Sequence, residues 1–259
     1  MSLLNLFLFG HPRIERDGRL IEITLRKGQA LLAYLAVEGK SHNRYSLAAM
    51  FWPESNQDSA LASLRRTIYE VNLALEATVI QTNGETICLS EKIDLWLDSA
   101  AFCQYASCLN NYPPNATLPP DCLDALAEAA RLQHDAFLAG FSLNDCPEFE
   151  KWQFLNGEAL RLTLLRVLQA LISSHMTRHS FTTAIKYGRR WLSIEPWHEP
   201  THRTLMTLYA ETGQRVLALL QFEQCRRLLY HELDLEPEPA TIALYEAIKT
   251  GRLTPNGRA

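Results

Sequence analysis

The sequence predicts a mainly α fold with a small β component, arranged in two parts. Three observations carry that expectation. Residues 4–89 change hydrophobic period in order, from strand to helix and back to strand. Residues 110–120, NNYPPNATLPP, hold four prolines and no apolar periodicity, which marks a boundary loop. Beyond them the pattern is helical, and Ala184 and Ala218 stand 34 residues apart in two similar segments.

Residues 4–25 run apolar in short bursts, LNLFLF, RIER and LIEITL, punctuated by Gly10–His11–Pro12 and Asp17–Gly18. They read as an antiparallel meander. Ala30, Leu31, Tyr34, Leu35 and Ala36 then follow Arg26–Lys27 at helical spacing, and Glu38–Gly39 stops that helix. Arg44–Trp52 is a shorter helix with Leu47, Met50 and Phe51 inward, ended by Pro53. A polar turn, ESNQ, leads into Asp58–Glu76, where Leu61, Leu64, Ile68, Val71 and Leu75 draw one apolar stripe. VIQT and TICL flank Asn83–Gly84, a strong hairpin signal. From Leu95 to Ala106 the pattern is helical again, with Asp98 or Ser99 as cap. Strands, helix, short helix, turn, long helix and hairpin are the layout of a winged helix-turn-helix, and the initial meander marks its OmpR-like variety.

In that layout the third helix enters the major groove and the hairpin reaches the DNA backbone or the minor groove. Away from its apolar stripe, Asp58–Glu76 offers Ser59, Ala62, Ser63, Arg66 and Glu70, with Arg65 and Tyr69 on one flank. Small residues permit close approach, and arginine forks reach phosphates or guanine edges. The bland alternative is an amphipathic helix with solvated arginines; the order of neighbouring elements favours DNA.

Asp121–Leu138 reads as one helix and Cys146–Met176 as a long one, with Pro147 near its start. FTTAIKYGRRWLSIEPWHEPTH and RVLALLQFEQCRRLLYHELDLEPEPATI then repeat imperfectly, the second being longer before its Glu-Pro. The bland reading is a generic helical bundle; the repeat favours an all-helical tetratricopeptide-like domain with a concave, protein-binding surface. The expected organisation is a winged-helix domain over 1–109, a linker over 110–120, a helical domain over 121–251 and a tail over 252–259.

Net charge over the 259 residues is −4, and residues 1–110 carry ten Lys and Arg against twelve Asp and Glu. A DNA-binding surface must therefore be a local patch. The amino-terminal apolar run lacks a basic n-region and is too short to span a membrane. The six scattered cysteines, without CxxC pairing, read as reduced, buried small hydrophobes of a cytoplasmic protein.

Both parts resemble the bacterial transcriptional activators of the antibiotic-regulatory-protein type, which join an OmpR-like winged helix to a bacterial transcriptional activation domain. The resemblance rests on RKGQALLAYLAVEG, LAAMFWPES and ALASLRRTIYEV, then on WLSIEPWHEPTHRTLM, ALLQFEQCRRLLYHELDLEPEP and TIALYEAI. It implies promoter binding at direct repeats and recruitment of RNA polymerase. Carried over by position, Arg65 and Arg66 face the groove, Arg26, Lys27 and Arg44 clamp phosphates at helix starts, and Thr82 and Asn83 belong to the wing tip. The chain departs from the family at Val71–Asn72, where the reading helix often carries a second Leu-Arg pair.

His198–Glu199–Pro200–Thr201–His202 matches HExxH, but Pro196 and Pro200 make the segment a helix start rather than the regular helix a zinc protease needs. His175 and His179 read as surface residues. Trp191, Trp197, Tyr209, Phe222 and Tyr245 read as seam-filling aromatics rather than a ligand groove. There is no GxxxxGK[ST] and no GxGxxG. The expectation is a cytoplasmic, non-enzymatic transcription regulator without catalytic residues, metal or cofactor. Its partners would be double-stranded DNA, RNA polymerase and a second copy on DNA, with no membrane. The alternative is a protein-interaction module, or the front part of a larger regulator, whose winged helix does not bind DNA.

Overall fold

The computed structural model describes residues 3–113 and 116–252. The expected tail therefore lies outside the described residues beyond Arg252, as do positions 114 and 115 of the expected linker. By packing, the chain forms two units that interleave in sequence, Met1–Cys108 with Ala125–Leu164, and Leu109–Asp124 with Leu165–Ala259. The contacts of the first unit thus continue past the boundary expected at 110–120.

In the first unit, strands β1 (Leu3–Phe7), β2 (Arg13–Arg16) and β3 (Arg19–Ile21) form the expected meander. Alternation buries Leu4, Leu6 and Leu8 on one face. A fourth strand, β7 (Asp94–Leu97), pairs in parallel with β1 and completes the order β3-β2-β1-β7. The helix expected from Leu95 therefore starts later, as α4 (Asp98–Ala106). Four residues are too few for periodicity to separate a strand from a helix turn. Asp98 does not cap α4 as a helix-flanking residue. Its carboxylate turns back to accept the Leu8 and Phe9 amides at 2.8 and 2.9 Å, as well as that of Ser99.

Helices α1 (Arg26–Glu38), α2 (Arg44–Phe51) and α3 (Gln57–Ala74) follow the predicted order. Asn43 caps α2, and Asn56, inside the polar turn, caps α3, so the third helix begins one residue earlier than expected. Leu31, Leu35, Leu47, Phe51, Leu64, Val71 and Leu75 form the core between them. Gly28 lets α1 and α3 approach closely, since a Cβ there would lie 2.9 Å from the Val71 Cγ2. Strand β4 (His42–Asn43) joins β5 (Ile80–Asn83) and β6 (Thr86–Leu89) in a second sheet of order β4-β6-β5.

Helix α5 (Pro120–Leu132) ends six residues before the expected limit. The reason is that Phe137 bridges Phe9, the Leu138 amide donates to the Leu8 carbonyl and Gly10 N–H donates to the Ala136 carbonyl. The first turns of α6 (Pro147–Thr177) then add Phe149 and Trp152 to an aromatic cluster with Tyr34 and Phe51. Trp152 Nε1 also donates to Glu38 at 2.9 Å.

In the second unit, α7 (Phe181–Ile194), α8 (Glu199–Glu211), α9 (Arg215–Leu233) and α10 (Pro239–Lys249) pack in succession as helix pairs. Ala184 and Ala218, the residues 34 apart, are both fully buried. Trp191, Tyr209 and Phe222 are buried in these seams, and Tyr245 stacks on Phe222 at 4.1 Å. Trp197 is instead exposed. The cysteine expectation needs correction. Cys88, Cys103, Cys146 and Cys225 are free thiols, with Cys103 exposed, but Cys108 and Cys122 are disulfide-bonded.

Candidate nucleic-acid interface

Helix α3 buries Ala60, Leu64, Thr67, Ile68 and Val71. That anchoring turns Ser59, Ala62, Arg65, Arg66 and Tyr69 to solvent, with Ser63 half-buried at the edge. Tyr69 is 63% exposed, a large side chain held away from every core. Asn56 accepts the Ser59 amide at 3.0 Å, so the helix presents a capped first turn at this end.

The wing is tied to this helix through Asn72. Its Oδ1 accepts the Val79 and Ile80 amides, and its Nδ2 donates to the Ile80 carbonyl, all at 2.9 Å. The residue that departs from the family pattern thus fixes the hairpin against the helix. Gly84, at φ 60°, opens a two-residue loop with Glu85, and Asn83 pairs with Thr86. Thr82 and Asn83 are exposed on that hairpin. Arg44 is half-buried, and its backbone amide donates to the Glu85 carbonyl at 2.8 Å. This joins the start of α2 to the hairpin loop.

The two basic residues at the start of α1 are not free. Arg26 Nη2 donates to the Ser142 carbonyl at 2.8 Å, and its guanidinium lies 5.0 Å from the Phe141 ring centroid. Lys27 Nζ donates to the Phe51 carbonyl at 2.7 Å and pairs with the Asp145 carboxylate at 2.6 Å. The hydrogen bond from Lys27 holds the Asp145 carboxyl below the usual carboxylate range. Sequence reasoning missed this loop, and with more than a hundred residues between Lys27 and Asp145 no local signal could have found it.

Arg26, Lys27, Ser63 and Arg66 line one cleft of about 700 Å³ together with Asn144 and Asp145. The structure thus brings four of the predicted residues together. Arg65 and Tyr69 are on the solvent side of α3, and Thr82 and Asn83 are reached through Asn72. Arg65, Arg66, Thr82 and Asn83 thus leave exposed donors, while Arg26 and Lys27 are engaged by residues 142–145.

The HExxH residues have other partners. Glu199 accepts the Glu238 amide and the Thr241 hydroxyl. His202 is fully buried, with Nε2 donating to the Pro196 carbonyl and Nδ1 accepting from Gln221. His198 Nδ1 is 2.8 Å from the Thr201 hydroxyl, and its ring stacks on Trp191. His175 stacks on Tyr187. Among the described residues no group of His, Cys, Asp and Glu is placed to hold a metal ion. Nor is any helix among them long and apolar enough to cross a membrane.

A strand meander, three helices and a pinned hairpin, with stacked helix pairs in the second unit, define a winged-helix protein with a tetratricopeptide-like partner unit. The chain belongs to the bacterial transcriptional activator domain family, which matches residues 97–249. That match bears out the resemblance to the bacterial transcriptional activators of the antibiotic-regulatory-protein type. The regulatory protein AfsR of Streptomyces griseus is 26% identical over 257 residues, which cover 95% of this chain but 24% of AfsR. The chain therefore spans about a quarter of that relative's length. Among solved structures, EmbR of Mycobacterium tuberculosis, in complex with a low-affinity phosphopeptide, matches with a TM-score of 0.72 at 19% identity. That match covers 99% of this chain and 67% of EmbR, and it shows a shared fold.

Proposed function

We propose that this protein is a cytoplasmic, sequence-specific DNA-binding activator that binds promoter repeats and recruits RNA polymerase. The observation that carries the reading is the outward face of α3, where Ser59, Ala62, Arg65, Arg66 and Tyr69 stand clear of solvent-excluding contacts beside a wing pinned by Asn72. Ser63 completes that face from the cleft edge. Arg65 and Arg66 approach base edges, while Arg44, Thr82 and Asn83 meet the backbone. Arg26 and Lys27 border the same surface and act on phosphates only as far as the 142–145 loop releases them. With Glu70 on this helix and no net positive charge over residues 1–110, one copy supplies few phosphate contacts. Two copies on a direct repeat supply enough. The long α3 helix and the stacked unit act without cofactor, metal or catalytic residues.

Selection of bound sequences from random double-stranded DNA tests this, followed by a salt titration on the selected site. The expected result is an enriched repeated motif whose affinity falls steeply with salt. Absence of enrichment would sink the reading. The Lys27–Asp145 pair favours a second reading, a docking module that uses the winged helix against protein. A stable protein partner recovered together with a failed DNA selection is its signature. Recruitment of polymerase is tested by transcription from the selected promoter with and without the protein.

A further inference from the structure

The second unit holds a groove that the DNA-binding reading does not use. Its floor is α8, through Leu205 and Tyr209; α7 supplies one wall and α9 the other, and the volume is about 450 Å³. On α7, Arg189, Leu192 and Ser193 line it at helical spacing. On α9, Leu217, Leu220, Gln221 and Gln224 do the same. Leu220 is 57% exposed and Leu217 38%, with Val216 at 70% beside them. Three large aliphatics within two turns, open to water beside a concave wall, mark an interaction surface.

The charges on the α7 wall have one sign. Helix α7 carries Lys186, Arg189 and Arg190 and no acidic residue, in a chain whose net charge is −4. Lys186, Arg189 and Ser193 fall on one exposed line of that helix. Arg189 Nε donates to the Tyr209 hydroxyl at 2.8 Å, which holds the guanidinium at the groove lining. On the opposite wall the acidic residue nearest the groove, Glu223, is taken by Arg226 at 2.7 Å. Gln221 ties the α9 wall to the α8 floor, its amide donating to buried His202.

We infer that this groove docks an acidic amphipathic segment of a partner protein, with aliphatic anchors on Leu217 and Leu220 and a carboxylate on Arg189. An anchor spacing of three to four residues matches the spacing of the groove's own walls, as in helix-in-groove recognition. The charge line on Lys186 and Arg189 sets the orientation, since an acidic flank meets α7 and an apolar flank meets α9. The inference is independent of DNA binding, which lies in the other unit.

The test uses the full chain and a fluorescein-labelled 16-residue helical peptide with leucines at positions three and four apart and glutamates beside them. Control peptides carry lysines in place of the glutamates, or the same residues scrambled. Fluorescence anisotropy is expected to show saturable binding of the acidic peptide only. Leu220→Asp and Arg189→Glu should each weaken it by about ten-fold or more. Arg189→Glu should in turn gain affinity for the lysine peptide, a swap that a misfolded variant cannot produce. Circular dichroism checks that both variants keep their helix content, and binding to selected DNA should be unchanged. Equal binding of acidic and basic peptides, or undiminished binding by Arg189→Glu, would overturn the inference. So would a dimer in light scattering that Leu220→Asp dissolves while no peptide binds, because the face would then belong to a second copy.

Discussion

Asn72 satisfies both backbone polar groups of Ile80 with one side-chain amide, accepting its N–H and donating to its C=O, each at 2.9 Å. The amide thereby takes the place of a neighbouring strand along the edge strand β5. A lysine or arginine at position 72 would extend the basic face of α3 but leave that edge unpaired. Asn72→Ala strips the side-chain partner from both backbone polar groups of buried Ile80, while the Val79 amide keeps the Ala77 carbonyl, and should cost about 1–3 kcal/mol of stability. Urea denaturation measures it, and a loss under about 0.5 kcal/mol would show that the hairpin is held by other means. On selected DNA the same variant should lose wing contacts and show a shallower salt dependence.

Lys27 gives a prediction of opposite sign. Its ammonium is occupied by the Asp145 carboxylate, which a DNA phosphate would have to displace in the proposed complex. Asp145→Asn removes the competing charge and keeps the side-chain size. Affinity for the selected site should rise at low salt, and the slope of log affinity against log salt should steepen by about one unit. Lys27→Ala should do the reverse. If Asp145→Asn weakens binding instead, the pair only braces the loop.

Arg66 lies on the cleft side of α3 and Arg65 on its open face, so the two should separate in a mutational test. A base-reading arginine replaced by alanine costs about 1–3 kcal/mol and relaxes sequence choice at one position. A phosphate-binding one weakens all sites alike. Repeating the DNA selection with Arg65→Ala and Arg66→Ala assigns each role, and wild-type behaviour of both would remove α3 from the interface.

The order of elements was legible because each rests on a local rule. Periodicity marked α3 and its buried face, Asn83–Gly84 marked the hairpin, and Ala184 and Ala218 marked the helix pairs. What was not legible depends on partners far away in sequence. Strand β7 exists because β1, about ninety residues earlier, offers a parallel edge, and α5 stops where Phe137 meets Phe9. Asn72 illustrates the same limit at the site. Its type read as a missing cation, whereas its role comes from the backbone of residues 79 and 80. Lys27 read as a phosphate clamp because nothing near it in sequence announces Asp145.

Gly28 tests the packing that positions α3. Alanine is the better helix former by about 1 kcal/mol, so an unconstrained Gly28→Ala would stabilise α1. Here the new methyl would meet Val71 Cγ2 at 2.9 Å and Ile23 Cγ2 at 3.2 Å. Both neighbours are buried and β-branched, with little rotamer freedom to yield. The clash should outweigh the propensity gain and destabilise the protein by about 1–3 kcal/mol. Thermal unfolding of the variant decides this, and a raised midpoint would mean that α3 shifts away freely.

His202 sets a pH limit on the second unit. Burial is the main cause that pushes its imidazolium below the ordinary range, although its bonds to Pro196 and Gln221 oppose the shift. With Nε2–H donating to Pro196 and Nδ1 accepting from Gln221, the folded protein holds the ring neutral. In the unfolded chain the ring takes up a proton at about pH 6.5. Below that pH the unfolded state binds more protons, so stability is full at neutral pH and declines as pH falls towards the folded value. The slope for one such histidine is at most about 1.4 kcal/mol per pH unit. His175 and His198 are shifted in the same direction by burial and add to the decline, and His42 is shifted likewise in the first unit. His202→Gln should lower stability at pH 7.5 yet lose less between pH 7 and 5 than the parent chain. Urea midpoints across that range measure the difference, and parallel curves for the two proteins would show that His202 does not carry the effect.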